Sequence, residues 1–252
     1  MSEPSGSVQH LFTSVDETTA DTHTISPDPV WRSTHLTSLN LRKNEPFGDV
    51  MTQKEDGTFR IWGQNFNGLH IDESGSDFME LCDEAATMQA DLITGTEHNL
   101  DARKYYVRKK CVDTCMKHCN VGHYKLLMSS TAIAAATTFK PGGTLLLARG
   151  NCVAWIIEAD DDYMGRWSYV RMRAKAGRVV SIISAYQPCE VRGTCKGKFT
   201  IHAQQTSILR EQHMADPNPN PRTYFRRDLT KFLRELQAKG DDLILMGDFN
   251  GC

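Results

Sequence analysis

The stretch Asp242-Leu-Ile-Leu-Met-Gly-Asp-Phe-Asn-Gly-Cys252 decides the fold. Leu243, Ile244, Leu245 and Met246 form a short apolar run bounded by charge and glycine, which reads as a strand buried on both faces. It stops at Gly247 and delivers Asp248 and Asn250. Residues two apart on an extended chain share a face, so a carboxylate and a carboxamide emerge together at the end of a rigid element. The plainer alternative is a turn, since Asp, Asn and Gly are ordinary turn residues. Other apolar runs upstream end in the same way, and this favours a site.

Working outward, 252 residues suffice for one large domain and a tail. Hydrophobic content is 40% and charged content 24%, as in globular chains. No segment has the ~18 apolar residues of a membrane span, and the polar, acidic N-terminus carries no secretory signal. An intracellular, nuclear or cytoplasmic location is expected. Eight cysteines in a chain this long read as reduced thiols rather than a disulfide scaffold. A net charge of -2 excludes a global attraction to nucleic acid, so any such attraction must come from local patches.

Residues 1–48, rich in Ser, Thr, Asp and Pro, read as a disordered tail, and residues 49–252 as the domain. A strand from Phe59 to Phe66 ends in Asn65-Phe-Asn67-Gly, with Asn65 and Asn67 on one face. A helix over 77–89, capped by Ser76, precedes the strand Asp91 to Glu97, which ends in a carboxylate. A second helix covers 102–120, and a strand lies near 124–128. The runs 143–148, 153–158, 167–173 and 179–185 predict an antiparallel meander, with a turn at Asp160-Asp161-Asp162. Helices follow over 201–214 and 223–238; in the latter, Phe225, Leu229, Phe232, Leu233 and Leu236 form an amphipathic stripe. The pattern predicts an α/β (α+β) layered sandwich.

Several strands thus end in carboxylates, amides or a phenol: Asn65 with Asn67, Glu97, Tyr186, and Asp248 with Asn250. Such a set points to metal-assisted hydrolysis. A sparse set of oxygen donors suits Mg²⁺, with Mn²⁺ as a substitute, and not zinc. In this order and spacing, Asn-Phe-Asn-Gly-Leu, Thr-Glu-His-Asn, Gly-Gly-Thr, Ala-Tyr-Gln-Pro and Gly-Asp-Phe-Asn resemble the endonuclease/exonuclease/phosphatase superfamily. The match is nearest to the apurinic-type endonuclease domain of non-LTR retroelements.

The resemblance implies two mixed sheets packed face to face with helices outside, and DNA as substrate. It implies Glu97 as metal ligand, and Asn67 touching the metal through water or its amide oxygen. Asn65 would bond the catalytic Asp or the scissile phosphate. Tyr186 would donate to a phosphate oxygen, Asp248 would orient or deprotonate the attacking water, and Asn250 would hold a phosphoryl oxygen. His98 is either a neighbour of the metal ligand or a surface residue. A phosphatase or phospholipase of the same superfamily, or an inactive remnant, are the alternatives. The family's site is completed by a later Asp and a Ser-Asp-His-like element. Here all nine histidines precede Asp248. The domain is therefore expected to be C-terminally truncated, lacking terminal strands of the second sheet, and weakly active or inactive alone.

Two further features stand apart. Cys111, Cys115 and Cys119, with His118 and His123 nearby, offer either thiols for a metal or a buried stripe; Cys189 and Cys195 read as a chance pair. Arg103, Lys104, Arg108, Lys109 and Lys110, interleaved with Tyr105 and Tyr106, offer either a DNA-backbone contact or a solvated helix face. Basic residues over 166–178, and Arg222 with Arg226 and Arg227, are weaker candidates for the same contact.

Overall fold

The computed structural model describes residues 54–71, 77–119, 121–190, 197, 199–212 and 216–250. The chain divides into two units, Met1–Thr58 and Phe59–Cys252. In the first, the Thr58 N–H closes a turn on the Glu55 carbonyl at 3.2 Å. The tail over 1–48, its boundary, the Ser76 cap and Cys195 fall outside the described residues.

In the second unit the strands are β1 (Ile61–Asn65), β2 (Leu92–Thr96), β3 (Tyr124–Ser129), β4 (Thr144–Arg149), β5 (Ile156–Asp161), β6 (Trp167–Arg173), β7 (Val179–Tyr186) and β8 (Asp242–Asp248). The helices are α1 (Asp77–Thr87), α2 (Tyr105–His118), α3 (Ile201–Gln212) and α4 (Pro221–Ala238). Two mixed four-stranded sheets result, ordered β1-β2-β4-β3 and β5-β6-β7-β8. In each, one edge strand pairs in parallel, β1 with β2 and β8 with β7, and the other pairings are antiparallel. The layered α/β sandwich read from the sequence is the architecture present.

Alternation along the strands builds the layers. Ile93, Leu145 and Leu147 turn outward to meet Phe78, Leu81 and Ala85 of α1 and Val107 and Cys111 of α2. Tyr169, Ile183 and Ala185 turn outward to meet Phe225, Leu229 and Leu236 of α4. Leu92, Leu146, Ala148, Val170, Met172 and Ile182 fill the space between the sheets. Toward the other end of the same interface the side chains become small and polar. The Ser184 hydroxyl donates to the Gly95 carbonyl at 3.0 Å, and the Thr144 and Ser168 hydroxyls meet at 2.7 Å. The carboxyl ends of β1, β2, β7 and β8 lie at this polar end.

Three expectations need correction. The run 143–148 is not the first strand of a meander. As β4 it joins the other sheet, between β2 and β3, and only β5, β6 and β7 form a meander. The expected strand over 153–158 begins later, because Gly150, at φ 72°, opens a 3-10 turn through Trp155. Strand β5 therefore continues to Asp161. The tight turn falls after it, where Asp162 accepts from the Met164 and Arg166 N–H groups at 3.1 Å each. Finally, β8 is not buried on both faces. It is an edge strand with half-buried residues, and Leu245 is 38% exposed.

Gly247 explains why that edge strand ends as it does. It sits opposite Ala185 in the parallel pairing, and a Cβ there would lie 1.8 Å from the Ala185 carbonyl oxygen. Any side chain would push β8 off β7 and displace Asp248. Gly240, at φ 85°, has nothing within 4 Å of its would-be Cβ. Gly240→Ala should therefore cost about 1 kcal/mol for its backbone alone. Gly247→Ala should cost at least ~2 kcal/mol more, from backbone collision. Urea unfolding of both variants reads the difference; equal midpoints would contradict the close approach.

Candidate active site

The polar end of the sandwich gathers five of the residues singled out in the sequence. Asn65 closes β1 and donates through Nδ2 to Oδ2 of Asp248, the last residue of β8, at 3.0 Å. Of the two partners the resemblance implied for Asn65, the structure shows contact with Asp248. Glu97 directly follows β2. Tyr186, the last residue of β7, is 3% exposed. Burial first, then the nearby Glu97 carboxylate, push its phenol above the ordinary range, with a smaller effect from Asp248. Glu97 and Asp248 thus flank one phenol.

The amide–acid pairs differ from the extended geometry expected of them. The Asn67 N–H donates to Oδ1 of Asn65 at 2.9 Å, and the Asn250 N–H donates to Oδ1 of Asp248 at the same distance. Asn67 and Asn250 have φ of 50° and 42°. Each pair is a turn closed by the first residue's side chain, and the alternation of a strand no longer applies there. The effect is to lock two functional groups. Both atoms of the Asn65 amide are engaged, which fixes its orientation. Asp248 is held through both oxygens, each keeping further acceptor capacity.

The Asn250 amide donates to the Gln187 carbonyl at 2.7 Å and accepts the Cys189 thiol at 3.1 Å. Asn67 is exposed and joins this group through its backbone N–H. Glu97 and Asn99 also hold positive φ, at 56° and 55°. A non-glycine in this region carries strain of order 1 kcal/mol, and such residues cluster where function over-determines the backbone. The strain is held by a ladder continuing past β2 and β4. The Glu97 N–H donates to the Gly143 carbonyl at 2.9 Å, and the Asn99 N–H to that of Gly142 at 3.0 Å. Gly142 and Gly143 are glycines for a reason: a Cβ would lie 3.0 Å from the Tyr186 ring in the first case and 2.4 Å from Nε2 of His98 in the second.

His98 is not a surface residue. It is fully buried. Its Nδ1 accepts from the Leu100 N–H at 3.0 Å, so its Nε2 carries the proton and donates to the Ser129 carbonyl at 2.8 Å. The ring pins the Glu97 segment to β3.

The roles of several residues escaped the sequence reading. Arg222 reaches the carbonyls of Pro188 and Asn250 at 3.0 and 2.9 Å, clamping the segments that follow β7 and β8. It is therefore a brace and not a free basic residue. Its signal was Asn220-Pro221, a helix cap with proline at the first position, which fixes where Arg222 points. Gln187 spans to the Phe249 carbonyl at 2.7 Å. Cys189 lies close enough to Glu97 and Asp248 that, after burial, their charges raise its thiol pKa.

The basic clusters fare unevenly. Arg166 is buried against Asp162 and Asp228, Arg171 pairs with Glu158 and Asp241, and Arg178 pairs with Asp242. Arg227 pairs with Asp228 and stacks on Tyr224. These are structural ion pairs, while Arg173 and Lys175 of the same segment are exposed. In the first cluster, Arg103, Lys104 and Arg108 donate to the carbonyls of Ala132, Thr137 and Ala102, and Lys109 pairs with Asp113. Carbonyl partners leave the charge uncompensated, and Tyr105 and Tyr106 are exposed beside it. Among the described residues no helix is long and apolar enough to cross a membrane.

Comparison with solved structures finds similar folds at low identity. TDP2 from C. elegans matches at 12% identity and TM-score 0.39, over 69% of this chain and 42% of that one. An endonuclease/exonuclease/phosphatase family protein from Leptotrichia buccalis matches at 17% and 0.34, over 64% of each chain. An AP endonuclease from Archaeoglobus fulgidus matches at 13% and 0.39, over 76% of this chain and 57% of that one. The chain thus spans about half of the length of these proteins. No family model and no curated protein matches the sequence.

The buried ring yields a pH prediction. Burial, with the Lys140 ammonium adding to it, holds the His98 pKa down at about 4, against an ordinary 6.5. The folded state therefore favours the neutral ring. Stability from this site is fully present above pH 6.5 and is lost as pH falls through 4, by on the order of 3 kcal/mol. The unfolding free energy of the parent should fall more steeply over that window than that of His98→Gln. Parallel pH profiles for the two would refute the assignment.

Proposed function

We propose that the chain is a Mg²⁺-dependent phosphodiesterase of the endonuclease/exonuclease/phosphatase superfamily, acting on DNA. One observation carries the reading: Asn65, Glu97, Tyr186, Asp248 and Asn250, from four strands of two sheets, converge at one end of the sandwich. The donors there are oxygens, and Glu97 is half-buried, which fits a hard divalent ion better than a soft one. Glu97, with Asn67 beside it, would hold the ion. Bound there, Mg²⁺ supplies charge neutralisation for the phosphate.

The chain's own groups account for the rest. Tyr186, buried near the Glu97 carboxylate, keeps water from one side of it. Asp248, fixed by Asn65 and by the Asn250 N–H, orients the attacking water and accepts its proton through a remaining lone pair. Asn250 has a second amide hydrogen to donate to a phosphoryl oxygen as charge develops. Phosphoryl transfer needs such positioning more than covalent chemistry. The exposed Arg103–Lys110 segment, with its two tyrosines, is the patch proposed to meet a nucleic-acid backbone. Cleavage that primes reverse transcription in a parent retroelement is the finer proposal, and it rests on the ordered motifs.

Two measurements test this. Titration calorimetry should show Mg²⁺ or Mn²⁺ binding that Glu97→Gln abolishes; equal binding by the variant would remove Glu97 from the site. Mg²⁺-dependent nicking of supercoiled plasmid, expected to be weak, should fall to the metal-free background in Asp248→Asn. Turnover of a phosphomonoester or a phospholipid with no nicking would instead assign the site to another branch of the superfamily.

A further inference from the structure

A second cluster of reactive groups lies away from this site. Cys82 of α1, with Cys115 and the C-capping Cys119 of α2, are all fully buried. One sulfur atom from each lies within 4.8 Å of the other two. The composition differs from the stripe marked in the sequence. Cys111 packs into the apolar core and is replaced in the cluster by Cys82 from the neighbouring helix.

The cluster has an electrostatic partner. Arg149, the last residue of β4, is 7% exposed and buried against the ends of both helices. Its guanidinium donates to the carbonyls of Ala85 and Ala90 at 2.9 Å each and to that of Cys119. None of these acceptors carries a full charge, and its Nε has no hydrogen-bond partner. A buried cation without an anion is expensive. Its bond to the Cys119 carbonyl sets the guanidinium beside the sulfur cluster. Negative charge on the sulfurs would therefore balance Arg149.

We infer that Cys82, Cys115 and Cys119 form a trithiolate site for a divalent thiophilic cation, Zn²⁺ being the ion of that class tested first. Sulfur donors select soft or borderline ions over Mg²⁺. The charge count agrees. Three thiolates and a divalent ion carry one net negative charge, which one guanidinium neutralises, whereas a monovalent ion would leave one negative charge unmatched. Binding displaces the remaining thiol protons to solvent and changes no oxidation state. The nearby carbonyls of Ala85, Ala90 and Cys119 are taken by Arg149, so the ion is three-coordinate or adds a water. Tying α1 to α2, it would act as a structural rivet on the outer face of the first sheet.

The test uses the full chain, reduced and stripped of metal with a chelator. Titration with Zn²⁺ should show one equivalent bound, and Cd²⁺ should produce a thiolate-to-metal ultraviolet band. Cys82→Ser and Cys115→Ser should lose both signals. Cys111→Ser should keep them, as should Glu97→Gln, which separates this site from the oxygen site. X-ray absorption at the zinc edge of the unmodified protein, which needs no variant to fold, should show three sulfurs at about 2.3 Å. A shell of oxygen and nitrogen only, no zinc uptake, or undiminished uptake by the Cys82→Ser/Cys115→Ser double variant would overturn the assignment.

Discussion

Asn65 and Asp248 are 183 residues apart in sequence and 3.0 Å apart in space. That hydrogen bond is possible only because β1 and β8, the parallel edge strands of different sheets, face one another across the sandwich. The requirement propagates through the structure. Gly63 has no side chain because a Cβ would meet the Met246 methyl at 2.5 Å. The Thr94 hydroxyl lies 3.7 Å from the Met246 sulfur, and Ser184 bonds to Gly95. Small and polar groups allow close approach at this end, while Leu92, Leu146, Val170 and Ile182 hold the sheets apart by ordinary packing at the other. Hydrophobic burial supplies cohesion, and the polar seam supplies position.

The same contrast explains what the sequence disclosed. Continuous apolar runs such as Leu145-Leu-Leu147 and the stripe from Phe225 to Leu236 are dictated by burial, a signal with fixed periodicity. These elements were legible to within a few residues. Their partners were not. Leu145 and Val170 look alike as strand residues, yet they belong to different sheets, because pairing is set by long-range contacts that leave no local mark. The start of β5 was obscured for another reason: Val153 and Trp155 have strand propensity, and Gly150 overrides it with a turn.

Within the site, the strand-end residues were visible because hydrophobic runs rarely stop in Asn, Glu or Asp without cause. Their geometry was not visible. Alternation placed Asn65 with Asn67 and Asp248 with Asn250 on common faces. Instead, short polar side chains captured the N–H two residues on and turned the backbone. Burial of His98 was equally hidden, since a lone histidine beside a carboxylate reads the same in solvent as in the core. The supporting residues Gln187 and Arg222 act through backbone carbonyls, which carry no residue identity to read. The cysteine stripe was half legible: helical spacing found Cys115 and Cys119, but Cys82 comes from another helix.

Each sheet is drawn from its own contiguous stretch of chain, residues 61–149 for one and 156–248 for the other. This separation has a kinetic meaning. The strand pairings within each stretch form without the other stretch, whereas the Asn65–Asp248 and Ser184–Gly95 contacts of the polar end join the two stretches and close long loops. Glu97 comes from the stretch that leaves the ribosome first, and Asp248 from the one that follows. Neither half holds the whole constellation, so a nascent chain carries no assembled polar site until its second half has docked on its first.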